Sequence, residues 1–168
     1  MTTDELTTRE EIRDVLYRYC RAVDRGDREL LKSVYHPDAT DNHGTFRGSG
    51  MEFADHIVDA MDEVNHVGQH HITNILMEIE GDAAAVESYF LAFHPWFSAS
   101  AGGQHNFVGG RYLDRFERRL GRWRITQREV VIDWSRAELP GGDMPGLQEF
   151  TLGGRRQDDF SANWFNWL

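Results

Sequence analysis

Apolar positions recur at helical spacing through the opening of the chain and then give way to strand-like alternation. Ile12, Val15, Leu16, Tyr19 and Val23 form one stripe, which predicts an amphipathic helix stopped by Gly26. Thr7 with Glu10, or Thr8 with Glu11, offers it a capping box. Asp27 suits the N-cap of a second, short helix through Leu30, Leu31 and Val34, which Pro37 breaks. Ala39 to Gly48 reads as a short strand or hairpin. Ser49 then caps a third helix carrying Phe53, Ile57, Val58, Met61 and Val64.

From His70 onward the pattern belongs to strands. Ile72–Glu80, Ala83–Ser98, Gln104–Arg119 and Trp123–Trp134 are rich in β-branched and aromatic residues. Gly81-Asp82, Ala101–Gly103 and Leu120-Gly121 supply the turns between them. Several of these strands exceed the usual length of about 5–6 residues, so the sheet must coil. The pair Gly109-Gly110 in mid-strand fits a bulge or sharp bend. The tail from Arg136 to Leu168 is loop-like, then brings Phe160, Trp164, Phe165 and Trp167. Large aromatics rarely face water as a group. They are expected to cover the core or pocket of their own subunit, or to pack on a neighbour.

Helices followed by long antiparallel strands make an α+β layout, with the helices on the concave side of a bent sheet. A chain of 168 residues is one ordinary domain, with its core at about 8–135. The net charge of −10 argues against a nucleic-acid partner. Lys32 is the one lysine among 18 basic residues, and the Arg-rich run 115–124 reads as a solvated turn rather than an anion site. No apolar run is long enough to span a bilayer. The polar, acidic start is wrong for a secretory signal, and the single Cys20 suits a buried filler in a reduced setting. A cytoplasmic protein is the expectation.

Two residues carry candidate chemistry, and a third stands beside them. Asp24 sits at the end of the first helix, where the macrodipole disfavours a carboxylate, and His70 opens the first long strand. A carboxylate-paired imidazole has the parts of a general base, and the Tyr19 phenol could donate to a developing oxyanion. Each also has a plain reading: Asp24 as a solvated helix end, His70 as a structural histidine, Tyr19 as a core tyrosine with a satisfied hydroxyl. Nothing local places residue 24 beside residue 70. His66, His70, His71, His94 and His105 lack accompanying cysteines and a helical spacing, so no metal site is expected. There is no phosphate-cradling glycine motif and no Ser nucleophile elbow.

The order of these pieces resembles the SnoaL-like branch of the nuclear-transport-factor-2-like superfamily. The resemblance rests on Tyr19-x4-Asp24-x2-Asp27, Tyr35-His-Pro-Asp-Ala39, His70-x3-Asn74, Glu80-Gly-Asp82, Gly110-Arg-Tyr112 and Gly121-Arg-Trp-Arg124. It implies a cone-shaped α+β barrel, with N-terminal helices packed on a strongly curved, mainly antiparallel sheet around an apolar pocket. It also implies a homo-oligomer, dimer or trimer, through the sheet. The family includes scytalone and bile-acid dehydratases, a dehydrochlorinase, polyketide cyclases and non-catalytic dioxygenase β-subunits, so fold alone does not give function.

The resemblance carries the His–Asp dyad of the dehydratases onto His70 and Asp24, and an accompanying Tyr onto Tyr19. Phe93 and Ile132 stand where the bile-acid dehydratase has an acid and an Arg, with His94 and Arg128 close by. The implied reaction is cofactor-free proton abstraction from carbon by His70, oriented by Asp24, with Tyr19 and Tyr112 as oxyanion donors. Loss of water would follow; an isomerase would share the first step. Met61, Phe90, Phe93, Trp96, Phe97 and Trp134 would line a pocket for a flat apolar substrate such as a steroid or polyketide, with Tyr112 and Arg128 contributing polar contacts. A non-catalytic scaffold and a plain binding module for an apolar ligand remain the alternatives.

Overall fold

Four long strands, two short ones, three α-helices and three short 3-10 helices make up the computed structural model, which describes residues 2–63, 67–96, 104–139, 141 and 144–164. Val64, His66, Phe97, the Ala101–Gly103 turn, Phe165 and Trp167 lie outside the described residues, as does the side chain of Trp96. Helix α1 spans Thr3–Arg25 and begins earlier than its apolar stripe suggests. Thr2 and Glu5 form the capping box: the Glu5 N–H donates to Thr2 Oγ1 at 3.2 Å, and the Thr2 N–H to the Glu5 carboxylate at 2.7 Å. The two boxes expected further along therefore fall inside the helix, where the Thr7 hydroxyl turns back to the Thr3 carbonyl.

Gly26 ends α1 in the left-handed conformation, φ 69°. Asp27 caps α2, Arg28–Ser33, by accepting from the Leu30 N–H. Strands β1 (Tyr35–Asn42) and β2 (Arg47–Ser49) follow, then α3 (Gly50–Glu63), capped by Ser49 and Glu52. Pro37 lies within β1, in the stretch where its pairing with β6 loses register between Tyr35 and Thr40.

Strands β3 (Gln69–Glu80), β4 (Ala83–Trp96), β5 (Gln104–Arg119) and β6 (Arg122–Glu138) complete one sheet in the order β2-β1-β6-β5-β4-β3. All pairs are antiparallel except β1 with β6. The sheet is strongly curved and unclosed. Ala84, Val86, Phe90, Tyr112, Phe116 and Ile125 point inward against Ile12, Leu16, Tyr19 and Val23 of α1, with Phe53 and Val58 of α3. No helix among the described residues is long and apolar enough to cross a membrane.

The glycine pair marks a bulge, and the bulge redirects a side chain. Gly109 pairs with Trp134 and Gly110 with Ile132, which leaves Asp133 as the extra residue of β6. A one-residue slip exchanges the faces of everything beyond it. Trp134, expected in the pocket, is therefore half exposed, with its indole in the space a Gly109 side chain would need. Phe93 also departs from the expected lining. It alternates with buried Ala92 and packs its ring on Phe107 and His105, 5.2 Å from each.

Among the described residues, the tail holds on by charge rather than by Phe160 and Trp164. Arg155 is buried and donates to Asp62 at 3.0 Å, with Nη1 3.8 Å from the Met61 sulfur. Arg156 reaches Asp62 and the Gly26 carbonyl, and Arg25 pairs with Asp159. Phe160 and Trp164 point outward, 71% and 66% exposed, so neither covers the core of its own subunit, and packing on a neighbour is the alternative left to them.

Candidate active site

The end of α1 and the start of β3 meet through two side chains 46 residues apart in sequence. Asp24 Oδ1 lies 2.6 Å from His70 Nδ1, and Oδ2 accepts the His70 backbone N–H at 3.0 Å. Both side chains are nearly buried. With Nδ1 held by the carboxylate, Nε2 is the nitrogen left for a reacting partner. The His94 ring stands edge-on to His70, with centroids 4.9 Å apart, and limits how the imidazole can tilt. Arg25, Arg155 and Arg156 gather at the negative end of α1, which offsets the cost of a carboxylate there.

A second carboxylate–imidazole pair lies in the same interior. His43, in the β1–β2 hairpin, sets Nδ1 on Asp41 Oδ1, and the other Asp41 oxygen accepts the Tyr35 hydroxyl at 2.6 Å. Tyr19 Oη is 3.1 Å from His43 Nε2. Phe53 stacks on the imidazole at 4.0 Å. Burial pushes the His43 pKa below its ordinary value although Asp41 works to raise it. The imidazole is therefore neutral at rest. An Asp41 carboxylate takes the Nδ1 proton, so Nε2 accepts from the Tyr19 hydroxyl. That hydroxyl proton, expected to serve an oxyanion, is already committed.

Behind this pair lies a buried cation. Arg128 makes a two-pronged bridge to Asp114, with both contacts at 2.7 Å, from the neighbouring strand position. Its guanidinium sits over the rings of Tyr19 and Tyr112, 4.0 and 4.2 Å from their centroids, while Nη1 has no hydrogen-bond partner among the described residues. Burial raises the Asp114 pKa even though the Arg128 charge draws it down. Burial likewise raises the phenol pKa values of Tyr19, Tyr35 and Tyr112, so all three keep their protons.

Of the expected binding residues, Phe90 stacks on Tyr112 at 4.4 Å and Arg128 joins the same aromatic group. Met61 is buried at the foot of α3 beneath Arg155. Phe93 and Trp134 are not brought to this group. Two cavities of about 670 and 760 Å³ lie elsewhere, lined by Leu76, Glu78, Ala85 and Arg115 among others, and neither is lined by the dyad. The sequence reading missed Asp41, His43, Tyr35 and Asp114. One signal was present: Tyr35, Ala39 and Asp41 share a parity along β1, and all three are buried.

Comparison with curated protein sequences finds no match. Solved structures with the same fold include a hexachlorocyclohexane dehydrochlorinase from Novosphingobium barchaimii, 22% identical, with a TM-score of 0.73 over 84% of this chain and 97% of that one. A candidate scytalone dehydratase from Novosphingobium aromaticivorans is 21% identical, with a TM-score of 0.71 over 86% of this chain and 99% of that one. The β subunit of a candidate aromatic-ring-hydroxylating dioxygenase from the same organism is 19% identical, with a TM-score of 0.62 over 77% and 92%. At these identities the likeness establishes the fold. A sequence model of the SnoaL-like domain matches residues 4–129, and the chain belongs to that family, within the nuclear-transport-factor-2-like superfamily.

Proposed function

We propose that this protein is a cofactor-independent lyase or isomerase in which His70 removes a proton from a carbon next to a carbonyl. The supporting observation is the two-point grip of Asp24 on His70, at the ring and at the backbone. It fixes the tautomer, aims Nε2 away from the carboxylate and stabilises the imidazolium that forms. Phe90, Tyr112 and Met61 supply apolar and aromatic surface for a flat polycyclic substrate such as a steroid or polyketide. The dehydrochlorinase and dehydratase among the structures of like fold are named for eliminations, reactions in which a proton leaves carbon.

The test is deuterium uptake by a fused bicyclic ketone in D₂O, followed by NMR. The wild type should exchange the hydrogens next to the carbonyl, and His70→Gln should lower the rate by ~10²–10⁴-fold. Equal rates for both would reject the reading. A second reading, a non-catalytic partner like a dioxygenase β subunit, draws on the exposed Leu76, Leu91, Ile132 and Trp134 of the sheet. Copurification with a large iron–sulfur subunit would favour it.

A further inference from the structure

The His43–Asp41 pair takes no part in the proton abstraction proposed above, yet it ends on a phenol and borders the interior that holds His70. The chain of contacts runs from the Tyr35 hydroxyl to Asp41, from Asp41 to His43 Nδ1, and from His43 Nε2 to the Tyr19 hydroxyl. It is built as a carboxylate–imidazole–hydroxyl relay, the arrangement by which an imidazole passes a proton to or from an oxygen. Its phenol stands five residues before Asp24 on α1, about 7.5 Å along the helix. The Arg128 guanidinium lies across that ring at 4.0 Å and draws the phenol pKa down, against the larger upward push of burial.

We propose that Tyr19, supplied by His43 and Asp41, is a second proton-transfer group of this site, serving the substrate's oxygen while His70 serves its carbon. The proposal rests on the lyase reading and specifies its substrate as a β-hydroxy carbonyl compound. In the elimination, the C–H bond next to the carbonyl breaks and its proton goes to His70 Nε2. The electron pair left behind forms the C=C bond as the C–O bond breaks. The departing oxygen takes the Tyr19 proton and leaves as water, and Tyr19 takes the Nε2 proton of a His43 imidazolium. His70 has gained one proton and His43 has lost one. Exchange with solvent restores the starting state, and hydration of the product runs the same steps backwards.

The working form therefore carries one proton between two imidazoles. The resting His43 is neutral, so this form is reached by taking up one proton. Burial is the largest influence against that proton, Asp41 from β1 favours it, and Arg128 from β6 and His70 from β3 oppose it. Tyr19 from α1 contributes a neutral hydroxyl, as do Tyr35 from β1 and Tyr112 from β5. Asp114 of β5 is bound to Arg128, and α3 presents the uncharged Phe53. Doubly protonated and doubly neutral pairs are both idle, so elimination should follow a bell-shaped pH profile.

The probe is 4-hydroxydecalin-2-one in D₂O, with deuterium uptake at the carbon and loss of water read separately. His43→Gln, Asp41→Asn and Tyr19→Phe should each lower the ratio of elimination to uptake by ~10²-fold, and His43→Gln should lose the alkaline limb of the profile. Variants that lose both steps equally, or neither, overturn the proposal. A His70→Gln protein that still exchanges the carbon rejects the lyase reading instead. One measurement needs no turnover: ¹⁵N NMR titration of His43 in the wild type and in His70→Gln. Loss of the second imidazole should raise the His43 midpoint, and an unmoved midpoint overturns the shared proton.

Discussion

Asp24 binds His70 at two points, one carboxylate oxygen on the ring nitrogen at 2.6 Å and the other on the backbone N–H at 3.0 Å. The second contact means that the carboxylate also sets where β3 begins relative to α1. Asp24→Asn should therefore affect more than charge. An amide can still accept one N–H, but it cannot stabilise an imidazolium, so turnover should fall by ~10²-fold or more with the fold intact. Deuterium uptake by the bicyclic ketone and circular dichroism together check this.

The Arg128–Asp114 bridge should be costly to break and cheaper to replace. Arg128→Met leaves the Asp114 carboxylate buried without its partner, which costs ~3–5 kcal/mol. The double variant Arg128→Met with Asp114→Leu should recover much of that loss. Urea unfolding of the three proteins gives the comparison, and a double variant no more stable than Arg128→Met would contradict it.

The lowered His43 pKa links stability to pH. The folded protein holds the neutral imidazole below the pH at which the unfolded chain, with its ordinary pKa of about 6.5, takes a proton. The unfolded state thus binds more protons in that window. The contribution is complete above the unfolded value and is lost as pH falls through the folded one. In His43→Gln the fall in unfolding free energy between about pH 6.5 and pH 5 should be shallower than in the wild type.

The outward face of the sheet should assemble copies of the chain. Leu76, Leu91 and Trp134 are each close to half exposed or more on it, a grouping that monomers seldom leave open. A dimer or trimer is expected by light scattering at micromolar concentration, and Leu91→Arg should shift it toward the monomer. A monomeric wild type would remove the basis for this assembly.

How far the sequence spoke for the structure differs from place to place. The stripe Ile12, Val15, Leu16, Tyr19 and Val23 placed one face of α1 in the core because helical period alone decides that. Gly109-Gly110 announced a bulge because few other residues tolerate the close approach of Trp134 and the Val131 carbonyl. It could not announce that Asp133 would be the extra residue, since that depends on β5–β6 register, and so Trp134 was assigned to the wrong face. The pairing of Asp24 with His70 came from resemblance, not from local pattern. The relay escaped notice because Asp41 and His43 are two residues of a short hairpin, and their phenol lies on another element, 24 residues away.

Gly26 gives the chain terminus a hold on the end of α1. Its left-handed turn stops α1 two residues after Asp24, and the bare Cα leaves the room that the Arg155 guanidinium occupies. A methyl group there would meet that guanidinium at 2.3 Å as well as straining the backbone. The same few atoms thus end the helix and seat the tail. Residues more than a hundred positions downstream are in this way packed against the turn that ends α1, so that a larger residue at position 26 would displace the tail as well as strain the end of the helix.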